Sequence, residues 1–172
     1  MMFKEKIRII ENFPKEGISF KDITPLFQDA EALKELIDTF KAQVEGMDID
    51  VVVGPEARGF LIGAPLAYAL GAGFVPIRKP GKLPSDTLRY EYALEYGTDT
   101  LEIHKDAIKK GQKVLIVDDL LATGGTISSV AKLVEELGGE VVSMNFIVEL
   151  TGLEGIKKLE NYPVTSLLKY EF

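Results

Sequence analysis

Apolar residues arrive along this chain in two alternating rhythms. Continuous runs rich in β-branched residues at 49–53, 74–77, 113–117, 140–148 and 164–170 predict strands, those buried on both faces of a parallel sheet. Between them lie stretches of helical period. Leu33, Leu36, Ile37, Phe40 and Val44 share one face of a helix that Asp29 can cap and that runs to about Glu45. A second helix should follow the loop 54–59 and continue to about Leu70, with Gly71 or Gly73 ending it. A third spans 127–137, and 152–159 predicts a short one. At the start, Phe3, Ile7 and Ile10 predict a short amphipathic helix over 3–13. Pro14, Gly17 and Pro25 make 13–27 an extended loop, while alternating Ile18, Phe20 and Ile23 suggest that it packs.

Residues 78–96 break both rhythms. They hold Arg78, Lys79, Lys82 and Arg89, two prolines and three tyrosines, and read as a long excursion with hairpin arms at 88–94 and 98–103. Strands alternating with helices give an α/β fold: a mostly parallel twisted sheet flanked by helices, in one domain spanning 1–172.

Composition narrows the classes. With 46% hydrophobic and 27% charged residues the chain is that of a soluble globular protein. A net charge of −7 without any Lys/Arg block argues against nucleic acid and anionic membrane as partners. There is no cysteine and one histidine, so disulfides, thiolate sites and multi-His metal sites are excluded. No signal peptide or apolar run of membrane-spanning length is evident, which makes the cytoplasm the expected location.

The chemistry concentrates in 114–126, V-L-I-V-D-D-L-L-A-T-G-G-T. A buried strand ends on two adjacent carboxylates, Asp118 and Asp119, and a small-residue loop, Ala122, Thr123, Gly124, Gly125 and Thr126, opens the next helix. Glycines let backbone N–H groups surround a phosphate, threonine hydroxyls add donors, and the helix N-terminus adds favourable potential. The carboxylates would repel that phosphate. They suit hydroxyl groups or a cation, hence ribose hydroxyls with magnesium nearby. Neither G-x-x-x-x-G-K-[ST] nor G-x-G-x-x-G after a strand is present. The loop 54–59, G-P-E-A-R-G, is a second anion-binding turn in which Arg58 can grip a diphosphate as a fork. His104 lies away from these loops and reads as a surface residue.

These motifs resemble type I phosphoribosyltransferases, and the Leu120-Leu121 pair after the acids is similar to the adenine phosphoribosyltransferase family in particular. The likeness covers 13–170. It includes E-A-R-G-F at 56–60, R-K-P-G-K-L-P at 78–84 and L-E-Y-G at 94–97. It implies the type I phosphoribosyltransferase fold with an N-terminal hood (1–28) and a flexible hairpin lid (78–104). It also implies the reaction of adenine with phosphoribosyl pyrophosphate to give AMP and pyrophosphate in purine salvage, and a homodimer. The resemblance gives Glu56, Ala57 and Arg58 to a pyrophosphate loop with a cis peptide at Glu56–Ala57, and Lys79 and Lys82 to neutralising pyrophosphate. Glu95 becomes the base or the stabiliser of an oxocarbenium-like transition state, with Tyr96 over the ligand. Ser19, Phe20 and Lys21 form the adenine segment, Lys21 standing where the family often has Arg, and Phe20 and Leu120 sandwich the base. Mg2+ enters mainly on the substrate, with Asp118 and Asp119 the side chains open to it. The alternatives are a sister enzyme for xanthine, hypoxanthine or orotate, and a phosphoribosyl pyrophosphate-sensing regulator. The second would carry a basic DNA-binding segment and lack the lid.

Overall fold

The computed structural model describes residues 2–94 and 96–172 of the chain. In order these form α1 (Met2–Glu5), β1 (Arg8–Glu11), β2 (Ser19–Asp22), α2 (Thr24–Gln28), α3 (Ala30–Gln43), β3 (Val51–Pro55), α4 (Arg58–Leu70) and β4 (Gly73–Ile77). There follow β5 (Thr87–Leu94), β6 (Gly97–His104), β7 (Lys113–Leu121), α5 (Gly125–Glu136), β8 (Glu140–Leu150) and β9 (Val164–Tyr170). Two 3-10 segments, Thr151–Leu153 and Gly155–Leu159, join the last two strands.

Five strands in the order β4-β3-β7-β8-β9 make an all-parallel sheet, as the continuous apolar runs predict. Leu36, Phe40, Ile62 and Leu66 from α3 and α4 fill one core against Val52, Leu115 and Val117. On the other face Ile127, Val130, Leu133 and Val134 of α5 pack on Val53, Ile116 and Phe146. Asp29 caps α3 as expected, its Oδ1 accepting from the N–H of Ala32 at 3.0 Å. Gly71, in the left-handed region at φ 69°, ends α4. No helix among the described residues is long and apolar enough to cross a membrane.

The predicted N-terminal helix over 3–13 is not formed. Only Met2–Glu5 is helical, and Arg8–Glu11 pairs antiparallel with Ser19–Asp22 inside the segment expected to be a loop. A helix of this length gains too few hydrogen bonds to offset its nucleation, whereas the hairpin gives both strands partners and adds an Arg8–Asp22 contact at 3.4 Å. The rest of the loop supplies α2, with Pro25 in its first turn. Residues 152–159 form 3-10 turns rather than one helix.

The excursion is a hairpin of β5 and β6 with arms running from Thr87↔His104 to Leu94↔Gly97. It is not a free flap along its whole length. Leu101 and Ile103 are buried in the α5-side core, with Leu88, Tyr90 and Tyr92 packed against it, while Leu94 and Tyr96 at the tip are exposed.

Candidate active site at the carboxyl ends of two parallel strands

The parallel ladder places the ends of β3 and β7 side by side, with Val51↔Val114 to Val53↔Ile116 in register. Ligands of open parallel sheets sit where such carboxyl ends open. Strand β7 runs on past the predicted end at 117 to Leu121, because β8 continues to pair with it up to Leu121↔Glu149. The acidic pair therefore stands on the strand rather than after it. Two hollows open there. One of about 330 Å3 is lined by Glu56, Ala57, Arg58, Asp118, Asp119 and Thr126, and one of about 80 Å3 lies against Leu120 and the loop from Ala122 to Thr126. A larger cavity, about 750 Å3, is lined by Asp38, Glu45, Asp48 and Ile49 before the start of β3. It lies at the amino end of the sheet, where no chemistry-bearing loop is found.

The two carboxylates have different surroundings. Asp119 is 5% exposed, and its Oδ2 meets Arg58 Nε at 2.7 Å. Asp118 accepts from the N–H of Asp119 at 2.8 Å. Burial raises the Asp118 carboxyl well above its ordinary range, and the neighbouring Asp119 charge pushes the same way. Glycine lets the 54–59 turn close on itself and on Asp118. A Cβ on Gly54 would meet the Gly59 carbonyl oxygen at 2.9 Å, and one on Gly59 would meet Asp118 Oδ1 at 3.3 Å.

Arg58 is not a free fork. Besides its ion pair to Asp119, its guanidinium lies 5.6 Å from the Phe20 ring centroid, which joins the N-terminal hairpin to β7. Lys21 is buried, and its ammonium donates to the Ser19 carbonyl (3.0 Å) and hydroxyl (2.8 Å) beneath the Tyr170 ring. Its side chain is thus spent inside the hairpin. The Glu56–Ala57 peptide is cis. Glu56 turns its carboxylate toward the excursion, where Oε1 accepts from Arg78 Nε at 3.2 Å and from the Lys79 N–H at 2.8 Å.

The glycine loop turns directly into α5, as the small-residue run predicts. Gly124 adopts φ 84°, and α5 begins at Gly125 with no side-chain cap, so its first N–H groups face the loop. Thr126 carries a further contact: Tyr92 of β5 reaches its hydroxyl at 3.3 Å and donates to Asp99 at 3.3 Å. Lys79 Nζ stands 3.6 Å from that same Asp99, and Lys82 is exposed. Tyr96 is 97% exposed at the hairpin tip, away from the strand ends, and Glu95 lies outside the described residues. His104 is half-buried and accepts from the Ser85 N–H at 3.3 Å, clear of the site.

Several contributors escape a sequence reading. Gly155 packs backbone to backbone on the phosphate loop: a Cβ there would run into the Ala122 carbonyl and come within 2.9 Å of the Gly124 nitrogen. Glu102 and Tyr92 sit in the hairpin, where neither spacing nor residue type separates them from exposed neighbours. The cue that was available is the alternation of Leu101 and Ile103, which marks the hairpin base as packed.

A family model described as phosphoribosyl transferase domain matches residues 24–170. An adenine phosphoribosyltransferase of Alkaliphilus oremlandii is 63% identical over 172 residues, covering 100% of both chains. The crystal structure of adenine phosphoribosyltransferase from Thermoanaerobacter pseudethanolicus superposes with a TM-score of 0.95 at 62% identity, covering 98% of each chain. The Saccharomyces cerevisiae adenine phosphoribosyltransferase, solved with an imino-altritol bisphosphate and adenine, gives 0.92 at 46% identity over 96% of each chain.

Proposed function

This chain belongs to the adenine phosphoribosyltransferase family, and from that membership we propose that it transfers the 5-phosphoribosyl group of phosphoribosyl pyrophosphate to adenine. The products are AMP and pyrophosphate, and the role is purine salvage. The observation that carries the reading is the acidic pair and Thr126 facing the Glu56–Arg58 turn across one hollow, with the glycine loop lining a second that shares Asp118 and Thr126. Together they offer hydroxyl acceptors and phosphate donors side by side, which is what a phosphorylated ribose with a diphosphate at C1 requires.

In this reading Asp118 and Asp119 accept from the ribose hydroxyls, while backbone N–H groups and hydroxyls from Ala122 to Thr126 hold the 5′-phosphate. Arg58, Lys79 and Lys82 face the diphosphate, and Arg58 exchanges part of its contact with Asp119 for it. The glycosidic C1–O bond breaks as N9 of adenine forms its bond to C1, and positive charge builds on the ribose ring. Glu95 takes the N9 proton or stands against that charge, with Tyr96 brought over the ligand as the tip closes. Adenine lies between Phe20 and Leu120, read by the backbone of Ser19 to Lys21. The buried Lys21 ammonium favours a backbone readout over a side-chain one.

Mg2+ fits this donor set. We assign the ion mainly to the substrate diphosphate, with Asp118 and Asp119 the side chains beside it. When bound it neutralises charge on the diphosphate. The molecule is assigned as one domain, 1–172, with hood and lid, working as a cytoplasmic homodimer. The exposed apolar face of α4, with Leu61 and Tyr68, supports the pairing of two copies.

Assay with adenine, hypoxanthine, xanthine and orotate, each with phosphoribosyl pyrophosphate and Mg2+, tests the reading. Adenine should turn over at least about tenfold faster than the others, since unpaired polar edges in a base site carry penalties of that size or more. Equal rates would transfer the chain to a sister specificity.

A further inference from the structure

The carboxylate of Glu102 is the most heavily used polar group outside the strand-end site. The residue is 3% exposed, between buried Leu101 and Ile103. Its Oε1 accepts from the Gly81 N–H at 2.8 Å, and its Oε2 accepts from the Thr87 hydroxyl at 2.7 Å and from Arg89 at 3.1 Å. Its backbone pairs both ways with Arg78, at 3.0 and 2.8 Å. One residue thereby grips the excursion at 78, 81, 87 and 89, on both sides of the segment that carries Lys79 and Lys82. The Thr87 and Gly81 donors hold its carboxyl below its ordinary value against the opposing effect of burial, so it works as an anion.

We infer that Glu102 is a positioning residue for the pyrophosphate end of the reaction, fixing the seat from which Lys79 and Lys82 reach the diphosphate. The inference rests on the proposed transferase reading and adds a residue to it. Glu102 touches no part of the strand-end hollow itself. Its effect passes through the turn at Lys79–Lys82, closed by the Lys82 N–H on the Lys79 carbonyl (3.3 Å) with Gly81 at φ 81°. Glu56 supports the other flank of that turn by accepting from the Lys79 N–H. Two carboxylates thus hold the backbone, and the two ammonium groups stay outside. A buried acid bonded to a single loop N–H would be an ordinary turn anchor. Bonds to the loop, to the following strand and, through its own backbone, to Arg78 make it a joint between three segments.

The experiment compares the parent with Glu102→Ala and Glu102→Gln in both reaction directions. In Glu102→Ala, KM for pyrophosphate and for phosphoribosyl pyrophosphate should rise about tenfold, the scale of a misplacement well under 1 Å, with KM for adenine within about twofold. Glu102→Gln keeps an acceptor for Gly81 but turns an N–H2 toward the Thr87 and Arg89 side, so it should recover part of the loss. Hydrogen exchange at Gly81 and Lys82 should quicken in Glu102→Ala, a readout that needs no turnover. Should the alanine variant not fold, Thr87→Val must shift KM for pyrophosphate in the same direction by a smaller factor. Unchanged pyrophosphate KM in a folded Glu102→Ala, or a parallel loss for adenine and pyrophosphate, overturns the inference. So does a Gln variant as impaired as Ala, or an unmoved Thr87→Val. Failure of the parent to convert adenine overturns the transferase reading instead, and unchanged exchange at Gly81 then decides against the seat separately.

Discussion

At the scale of the residue, Asp118 sets stability against use. It is held next to Asp119 in surroundings that favour its neutral form, and a raised folded-state pKa has a definite consequence for pH. The folded chain binds this proton more tightly than the unfolded chain, whose value stays near 3.8. The group's stabilising contribution is therefore complete below that value and is lost as pH rises through the folded pKa. Asp118→Asn fixes the neutral form and keeps an oxygen for the Asp119 N–H. It should raise Tm at pH 7 by about 2–4 °C, the scale of 1 kcal/mol in a chain of this size, with the gain fading toward pH 4. Transferase activity should fall. A lower Tm at pH 7, or a gain as large at pH 4, would show that the carboxylate is not held against its charge. This residue was legible in the sequence because two adjacent acids after an apolar strand are costly unless hydroxyls, a cation or a base meets them. Glu102 was not, since its burial depends on partners at 81, 87 and 89 that only the hairpin brings to it. Arg58 was legible as the basic residue of the second turn but not as the partner of Asp119 and Phe20, because those contacts join three separate segments.

Among elements, the parallel strands were plain from continuous apolar runs, and the helices from their period. What failed was local: 3–13 carries a helical spacing of Phe3, Ile7 and Ile10, yet pairing with Ser19–Asp22 wins because a tertiary partner outweighs a weak periodicity. The Gly155–Leu159 segment reads as an unremarkable connection, but its first residue backs the phosphate loop. Gly155→Ala would force Ala122 to Gly124 to shift, since the atoms that a Cβ meets are backbone and not the tip of a flexible chain. AMP and phosphoribosyl pyrophosphate share the 5′-phosphate, so both should bind about tenfold more weakly, while KM for pyrophosphate is unmoved. Calorimetric titration of AMP reads this directly. Parent-like AMP affinity would remove the segment from the site. Both Gly155→Ala and Glu102→Ala should weaken phosphoribosyl pyrophosphate, but only Glu102→Ala should raise KM for pyrophosphate, so that ligand separates the two ends of the site.

For the molecule as a whole, the site is a joint between segments that fold for different reasons. Strands β3 and β7 are fixed by two cores, the N-terminal hairpin leans on them through Phe20 and Arg58, and the β5–β6 hairpin is anchored at its base but exposed at its tip. Only the tip is free to close without disturbing the core. On the proposed reading phosphoribosyl pyrophosphate with Mg2+ spans the glycine loop, the acidic pair and the basic turn, so its binding would couple three of these segments at once. Ligand that binds only the folded state stabilises it by RT ln(1 + [L]/Kd), about 2.7 kcal/mol at 100 times Kd. For a chain of 172 residues that corresponds to a rise in Tm of about 5–10 °C. Pyrophosphate with Mg2+, which on that reading meets only the Arg58 and Lys79–Lys82 side, should give a smaller rise at the same concentration. Differential scanning calorimetry with each ligand checks both statements. A chain whose Tm does not move with millimolar phosphoribosyl pyrophosphate and Mg2+ does not use the strand-end hollow for that substrate. An equal rise with pyrophosphate alone would mean that the glycine loop and the acidic pair contribute nothing to holding it.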